Sequence, residues 1–219
     1  QRVQRLLNSH YQLASDITRH QGNFSTAWIY ANNAVRVTRL LTINDFLSVA
    51  LYRRGYTSLE WAFFGDNILR GIMNRKPDKK RLESAISDFE EALPSARPQL
   101  KGAIWLEMSR AQGILQNALM GLSLVNQAAD MVDVGSSLGD PLEQILLEGA
   151  LNGLSEGMYL LGKSATFIAL RRTTTAIDLL DDLDALKNGK GIARNQSRRI
   201  AYADLLRAEA SLSAKDYMT

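Results

Sequence analysis

Apolar residues recur along this chain with the period of an α-helix, and strict two-residue alternation of useful length is absent. In the first segment Val3, Leu6, Leu7, Tyr11, Ala14 and Ile17 fall on one stripe at i, i+3 and i+4 spacing. The period breaks at Gln21-Gly22-Asn23, Lys76-Pro77-Asp78, Ala96-Arg97-Pro98, Gly135 to Pro141 and Lys187 to Gly191. Helices of roughly 15 to 21 residues are predicted between the breaks. Asp140-Pro141 opens one of them, with aspartate as N-cap and proline at the first helical position. The fold class that follows is all-α.

Small residues recur within this pattern. Ser15 precedes the turn Gly22-Asn23-Phe24, and Ala27 and Ala34 follow it. Gly55 precedes Ala85 and Ala92 across a longer connection; Trp105 and Ser109 precede Gly121 and Ala128; Gly157 precedes Ala169 and Ala176; Ala208 precedes Lys215-Asp216-Tyr217. Where antiparallel helices cross, any side chain larger than Ala or Ser forces their axes apart, so such stripes mark close helix pairs. A single hairpin leaves an apolar face uncovered, and several must stack to bury it.

These residues resemble the tetratricopeptide repeat, which has a bulky and then a small residue in helix A, a Gly-Asp-Tyr-like turn, and two alanines seven apart in helix B. Gly22-Asn23-Phe24 with Ala27 and Ala34 carries the resemblance best, followed by Trp105, Ser109 and Ala128. The resemblance implies an α-solenoid of about five stacked antiparallel hairpins in a right-handed superhelix. It implies one domain over 1–219, with hairpins at 1–41, 43–95, 98–134, 140–186 and an incomplete one at 194–219. Ala34, Ala92, Ala128 and Ala176 are unevenly spaced, which implies lengthened helices and an insertion around Phe63 to Lys79. Leu51 to Tyr56 and Tyr202 to Ala210 also resemble sensor regions of bacterial transcription regulators, although no DNA-binding or ATPase module is recognisable.

First helices line the concave groove of such arrays. The resemblance therefore implies a protein- or peptide-binding surface at Gln12, Asp16, Tyr52, Tyr56, Leu106, Arg110, Leu154, Met158 and Glu209. Leu106, Leu154 and Met158 serve equally well as interior filling. Family members that clamp a C-terminal carboxylate use Lys and Asn at the inner positions of the first repeats. Gln12 and Asp16 stand there instead, which argues against that ligand.

Composition narrows the chemistry. The 219 residues are 46% apolar and 22% charged and include four prolines and no cysteine, ordinary for a folded domain and incompatible with disulfides or thiolate sites. No apolar run approaches the roughly 20 residues of a membrane helix. The start at Gln1 and the stop at Thr219 suggest a fragment of a longer chain, without a signal-peptide pattern, and a cytoplasmic protein is expected. Net charge is +3, with basic clusters at Arg75 to Arg81 and at Lys187, Lys190, Arg194, Arg198 and Arg199. Both flank a Pro or Gly break and lack interleaved aromatics, which fits solvated loops better than a nucleic-acid surface.

One string imitates a catalytic motif. Gly157-Met158-Tyr159-Leu160-Leu161-Gly162-Lys163-Ser164 satisfies the phosphate-loop pattern, but no buried strand precedes it and its variable positions suit a packed helix. The helical reading makes Gly157 the crossing residue, Gly162 the end of the helix, and Lys163-Ser164 the turn into the next. His10 and His20 do not share a helix face, and Asp178, Asp181, Asp182 and Asp184 read as a solvated face. The expectation is a binding protein, not an enzyme, with no cofactor or metal. Its partner is a protein or peptide, a homo-oligomer is a further candidate, and nucleic acid enters only through a module outside the fragment.

Overall fold

A computed structural model describes residues 2–41, 44–65, 76–132, 154–189 and 197–215. The elements are α1 (Arg2–His20), α2 (Phe24–Leu41), α3 (Asn44–Phe64), α4 (Lys79–Ala92), a 3-10 turn (Leu93–Ser95), α5 (Pro98–Ile114), α6 (Ala118–Ala129), α7 (Glu156–Ala169), α8 (Thr173–Gly189) and α9 (Ser197–Lys215). Among the described residues the one β feature is an isolated parallel bridge between Val132 and Leu154. The chain is all-α. The Asp140-Pro141 helix start, the core of the Phe63–Lys79 insertion, and Asp216-Tyr217 lie outside the described residues.

Two compact units divide inside α5, between Ile104 and Trp105. In the first, α1 packs on α2, α2 on α3, and α3 on α4. Its interior holds Phe24, Ala27, Ala31, Ala34, Val35, Leu51, Leu59, Leu82 and Phe89. In the second, α7 pairs with α8 and α9 lies against both. Leu161, Ile168, Leu180, Leu183, Ala203, Leu206 and Ala210 form that core.

One turn recurs three times. Gly22, Gln116 and Arg171 have φ of 77°, 62° and 60°, the left-handed region. Around each, the same two backbone bonds close the preceding helix. Gly22 N–H donates to Arg19 O and Asn23 N–H to Thr18 O; Gln116 N–H donates to Gly113 O and Asn117 N–H to Gln112 O; Arg171 N–H donates to Ile168 O and Arg172 N–H to Phe167 O. That pair of bonds satisfies carbonyls the helix end would leave unpaired. At the end of α3, Gly65, with φ of 67°, donates its N–H to Trp61 O. Only the glycines adopt this conformation without steric cost; Gln116 and Arg171 bear a Cβ there.

Counting back from these residues exposes a repeat the small-residue pattern only partly showed. Seven positions before each stands a buried serine: Ser15, Ser58, Ser109 and Ser164. Ser15 Oγ donates to Ala27 O across the α1–α2 crossing at 2.8 Å. Ser109 Oγ donates to Leu106 O and meets Thr166 Oγ1 at 2.7 Å. The facing second helices supply Ala27, Ala85, Gly121 and Ala176, all buried. Close approach is what makes these sizes obligatory: a Cβ on Gly121 would stand 3.3 Å from Ser109 O, and one on Gly55 only 2.7 Å from Phe89 Cε1.

Two expectations are corrected by this register. Gly162 does not end a helix, nor do Lys163 and Ser164 begin a turn: α7 runs through all three to Ala169, so Ala169 belongs to the first helix of its hairpin. The reason is packing, since a Cβ on Gly162 would lie 2.9 Å from Leu106 Cδ1. Gly157 sits in the first turn of α7, and Ser164 holds the crossing position instead. The orientation of α1 is the second surprise. Its buried residues are Asn8, Gln12 and Ser15, while Val3, Leu6, Leu7 and Ile17 of the apolar stripe are exposed. Ser15 must face α2, and Asn8 and Gln12 share its face at i−7 and i−3, so the apolar stripe turns outward.

Two substitutions test this packing by urea denaturation. Gly55→Val forces side-chain atoms into Phe89 and should cost about 1–3 kcal/mol. Arg171→Gly relieves a left-handed non-glycine and should gain about 1 kcal/mol. An unchanged midpoint in both variants would contradict the assigned contacts.

Candidate binding surface

In the first unit, α1 and α3 present a continuous set of charged and aromatic side chains. Arg53, one turn before Thr57, reaches back to α1 and donates to Asp16 Oδ2 at 2.8 Å. Arg19, near the end of α1, donates to Glu60 Oε2 at 2.6 Å and lies 3.5 Å from Asp16 Oδ1. Its guanidinium carbon also stands 4.8 Å from the centre of the Tyr56 ring. Burial alone would lower the Arg19 pKa, but the Glu60 carboxylate, with Tyr56 and Asp16, raises it above the ordinary arginine value. That side chain is a permanent, geometrically fixed cation.

Aromatic rings extend the set. Tyr56 stacks on Tyr52 with centroids 6.2 Å apart and planes at 26°, and Tyr52 packs in turn on Phe89 of α4 at 6.0 Å. Tyr52 and Tyr56 are one helical turn apart, which puts them on the same face of α3. Both are half-buried, as are Asp16 and Arg19. Of the sequence-derived positions, Asp16, Tyr52 and Tyr56 therefore come together. Gln12 does not line an open face: it is buried, donates to Asn8 Oδ1 at 3.1 Å, and leaves its own Oε1 without a protein partner.

Beneath this surface lies a clamp the sequence reading missed. Arg54 donates to both oxygens of Asp88, Nε at 2.9 Å and Nη2 at 2.6 Å, and to Asn32 Oδ1 at 2.8 Å. One guanidinium thus ties α2, α3 and α4 together. Burial pushes the Asp88 carboxyl above its ordinary value, and the Arg54 bonds oppose that shift only in part. A pair like this fixes geometry more than it adds stability, because desolvation offsets most of its Coulomb gain. The Arg53-Arg54 dipeptide inside an apolar helix was the available signal.

The second unit treats the remaining positions differently. Leu106 is buried with Ala128 and Leu154, and Met158 packs against that cluster; these residues fill interior space. Arg110 is buried, with its guanidinium carbon 5.8 Å from the Tyr202 ring centre. Glu209 of α9 is the facing charge: burial raises its pKa, and Arg110 lowers it by less. Arg110 and Glu209 are thus brought together, but inside the unit.

The phosphate-loop imitation is a helix throughout, its backbone engaged in helical bonds and Lys163 Nζ standing 5.4 Å from the Tyr159 ring centre. Asp178, Asp181 and Asp182 are exposed; Asp184 and Asp181 pair with Arg207 of α9. Among the described residues no group of three or more His, Asp or Glu side chains is placed to hold a metal ion. In the first basic cluster Lys79 pairs with Glu83 and Arg81 with Asp78, the N-cap of α4. Lys190 and Arg194 of the second lie outside the described residues.

The pair Arg110–Glu209 gives a pH test. A raised carboxyl pKa means the folded chain holds the proton more tightly than the unfolded one. Stability from this group is complete below its ordinary value of 4.5 and is lost as pH rises through the raised value. Glu209→Gln should therefore lose less stability than the wild type between about pH 4 and pH 7 in stepped urea titrations. Parallel curves would show that Glu209 is not perturbed. No protein-family model, curated protein or solved structure matches the chain.

Proposed function

We propose that this chain is a helical-repeat scaffold that binds a protein or peptide at the α1–α3 surface. The observation that carries the reading is the Tyr52–Tyr56 stack set beside an Arg19 guanidinium that Glu60 and Asp16 hold in place. Tyrosine and arginine dominate the energetics of protein interfaces, and those with fixed rotamers lose little further entropy on binding. A half-buried aromatic pair next to a fixed cation suits a peptide with an aromatic or acidic side chain. Stacking of the hairpins into a right-handed superhelix, which the repeated serine and left-handed turn support, belongs to the same proposal. So does a role as the sensor or oligomerisation region of a cytoplasmic bacterial regulator, with any nucleic-acid contact made by another module. No described helix is long and apolar enough to cross a membrane.

The reading assigns no catalysis and no cofactor to the chain. Leu106, Arg110, Met158 and Glu209 are left out of the binding surface because they pack within the second unit.

The test is affinity capture from bacterial lysate with the wild type and with Tyr52→Ala/Tyr56→Ala as baits, both checked for helicity. The expected result is a protein retained by the wild type and depleted about tenfold or more from the variant, as loss of two interface tyrosines implies. Identical retained sets would overturn the assignment of this surface.

A further inference from the structure

Arg19, Arg53 and Arg54 all cross between helices, and they differ in how much of each guanidinium is engaged. Arg54 is engaged throughout: Nε and Nη2 donate to Asp88, and Nη1 donates to Asn32. Arg19 has Nη1 on Glu60, Nη2 within 3.5 Å of Asp16 and His20, and its guanidinium over the Tyr56 ring. Arg53 makes one bond, from Nη1 to Asp16 Oδ2 at 2.8 Å, which among the described residues leaves Nε and Nη2 without an acceptor. Its side chain is nevertheless only 16% exposed, and none of its unbonded nitrogens is cut off from solvent. A guanidinium held in place at one nitrogen, with an adjoining N–H edge accessible, is a preformed pair of donors.

The neighbours of that edge narrow what it can take. Arg53 and Tyr56 are three residues apart on α3, and the residues they meet on α1, Asp16 and Arg19, are also three apart. The two side chains therefore lie side by side along the α1–α3 seam. Tyr56 stacks on Tyr52, and both rings are half-buried, so aromatic surface adjoins the donor pair.

The charges already present limit the ligand further. Arg19 and Arg53 balance Asp16 and Glu60. A carboxylate adds one negative charge to this neutral cluster, whereas a phosphate monoester brings about two to the side of Asp16. Repulsion from Asp16 and Glu60 thus favours the carboxylate, whose two oxygens match the paired N–H groups of the edge.

We propose that the Nε–Nη2 edge of Arg53 is the subsite at which the α1–α3 surface receives a carboxylate of its partner peptide, with an aromatic side chain of that peptide against Tyr52 and Tyr56. The inference rests on the reading of this surface as a peptide-binding site. It adds which arginine meets the acidic group: Arg53, and not Arg19, whose Nη1 and Nη2 already face carboxylates.

Four acetylated dipeptides that share a phenylalanine test this on the 219-residue chain, read by NMR of the arginine Nε–H signals. Acetyl-glutamyl-phenylalanine amide has a side-chain carboxylate, acetyl-glutaminyl-phenylalanine a C-terminal one, acetyl-glutaminyl-phenylalanine amide none, and acetyl-phosphoseryl-phenylalanine amide a phosphate. The signal that Arg53→Gln removes should shift saturably, and at least one carboxylate peptide should bind about fivefold or more tighter than the neutral amide and tighter than the phosphate peptide. The tighter carboxylate peptide identifies the side chain or the C-terminus as the source. Arg53→Gln should abolish the preference for a carboxylate. Arg53→Lys, which keeps a charge for Asp16 but lacks the paired edge, should weaken the carboxylate peptides about fivefold or more, both variants being checked for helicity. No saturable shift, a shift confined to Arg19, equal binding of the neutral amide, tighter binding of the phosphate peptide, or unchanged affinity in both variants overturns the proposal. The two readings fail separately. A lysate partner that needs Tyr52 and Tyr56 yet is retained by Arg53→Gln removes the Arg53 subsite and keeps the surface. Arg53-dependent carboxylate binding without any tyrosine-dependent partner keeps the subsite and removes the wider reading.

Discussion

Close approach of paired helices at a buried serine is the constraint on which the rest of this molecule depends. Ser15, Ser58, Ser109 and Ser164 each stand seven residues before a left-handed residue that ends the helix. The turn fixes where the second helix starts, and the serine fixes how near it can come. Alanine or glycine on the second helix then follows from sterics, because van der Waals contact at a crossing leaves no room for branching. A serine hydroxyl adds something alanine cannot, a donor to a carbonyl across the crossing, as from Ser15 to Ala27. Once α1 and α2 are locked in this way, the rotation of α1 is no longer free. Its polar residues Asn8 and Gln12 go inside, and its leucines go outside.

The same constraint explains why polar networks gather on α1 and α3. Helices drawn together by small residues leave their long side chains to splay out along the edges of the contact. Arg19, Arg53 and Arg54 use that length to cross between helices, and each ends on a carboxylate. Burial raises the Asp88 carboxyl above its ordinary value, and the Arg54 guanidinium that meets it also reaches Asn32, so the pair sets the relative placement of α2, α3 and α4. Arg39 and Glu91 make a comparable reach at an exposed position, where such a pair contributes about 1 kcal/mol or less. The Tyr52–Tyr56 stack rests on Phe89, the residue after Asp88 of the clamp on α4.

Much of the fold was legible in the sequence, and the failures have physical causes. Helical period, the turn at Gly22, and the pairs Ser15–Ala27 and Ser109–Gly121 were readable because glycine and small residues mark them directly. Gln116 and Arg171 hid the equivalent turns: neither residue type advertises a left-handed backbone, so the fourth hairpin was read seven residues early, from Gly157 instead of Ser164. Gly55 was legible for the same reason as the other small residues, since a Cβ there would stand 3.1 Å from Ala85 O and 2.7 Å from Phe89 Cε1, while Ser58, buried three residues on, carries no such mark in the sequence. The site suffered from those shifts. Tyr52 and Tyr56 share a face because four residues make a helical turn, a local fact; Arg19, Arg53, Glu60 and Asp88 depend on which helices meet, which composition and period do not encode. The outward stripe of α1 was visible, but not its direction, because the pattern alone does not say that a polar face has been buried in preference to an apolar one.

The central claim is that register is set by the serine seven residues before the left-handed turn, and α7 tests it most directly because it offers both a glycine and a serine. Urea denaturation of Ser164→Leu and Gly157→Ala compares the two positions in one helix. The account predicts that Ser164→Leu loses about 1–3 kcal/mol or fails to fold, from overpacking at the crossing, while Gly157→Ala is neutral or gains up to about 1 kcal/mol from helix propensity. A tolerant Ser164 together with a destabilised Gly157 variant would contradict it, and would restore the earlier register with Gly157 at the crossing.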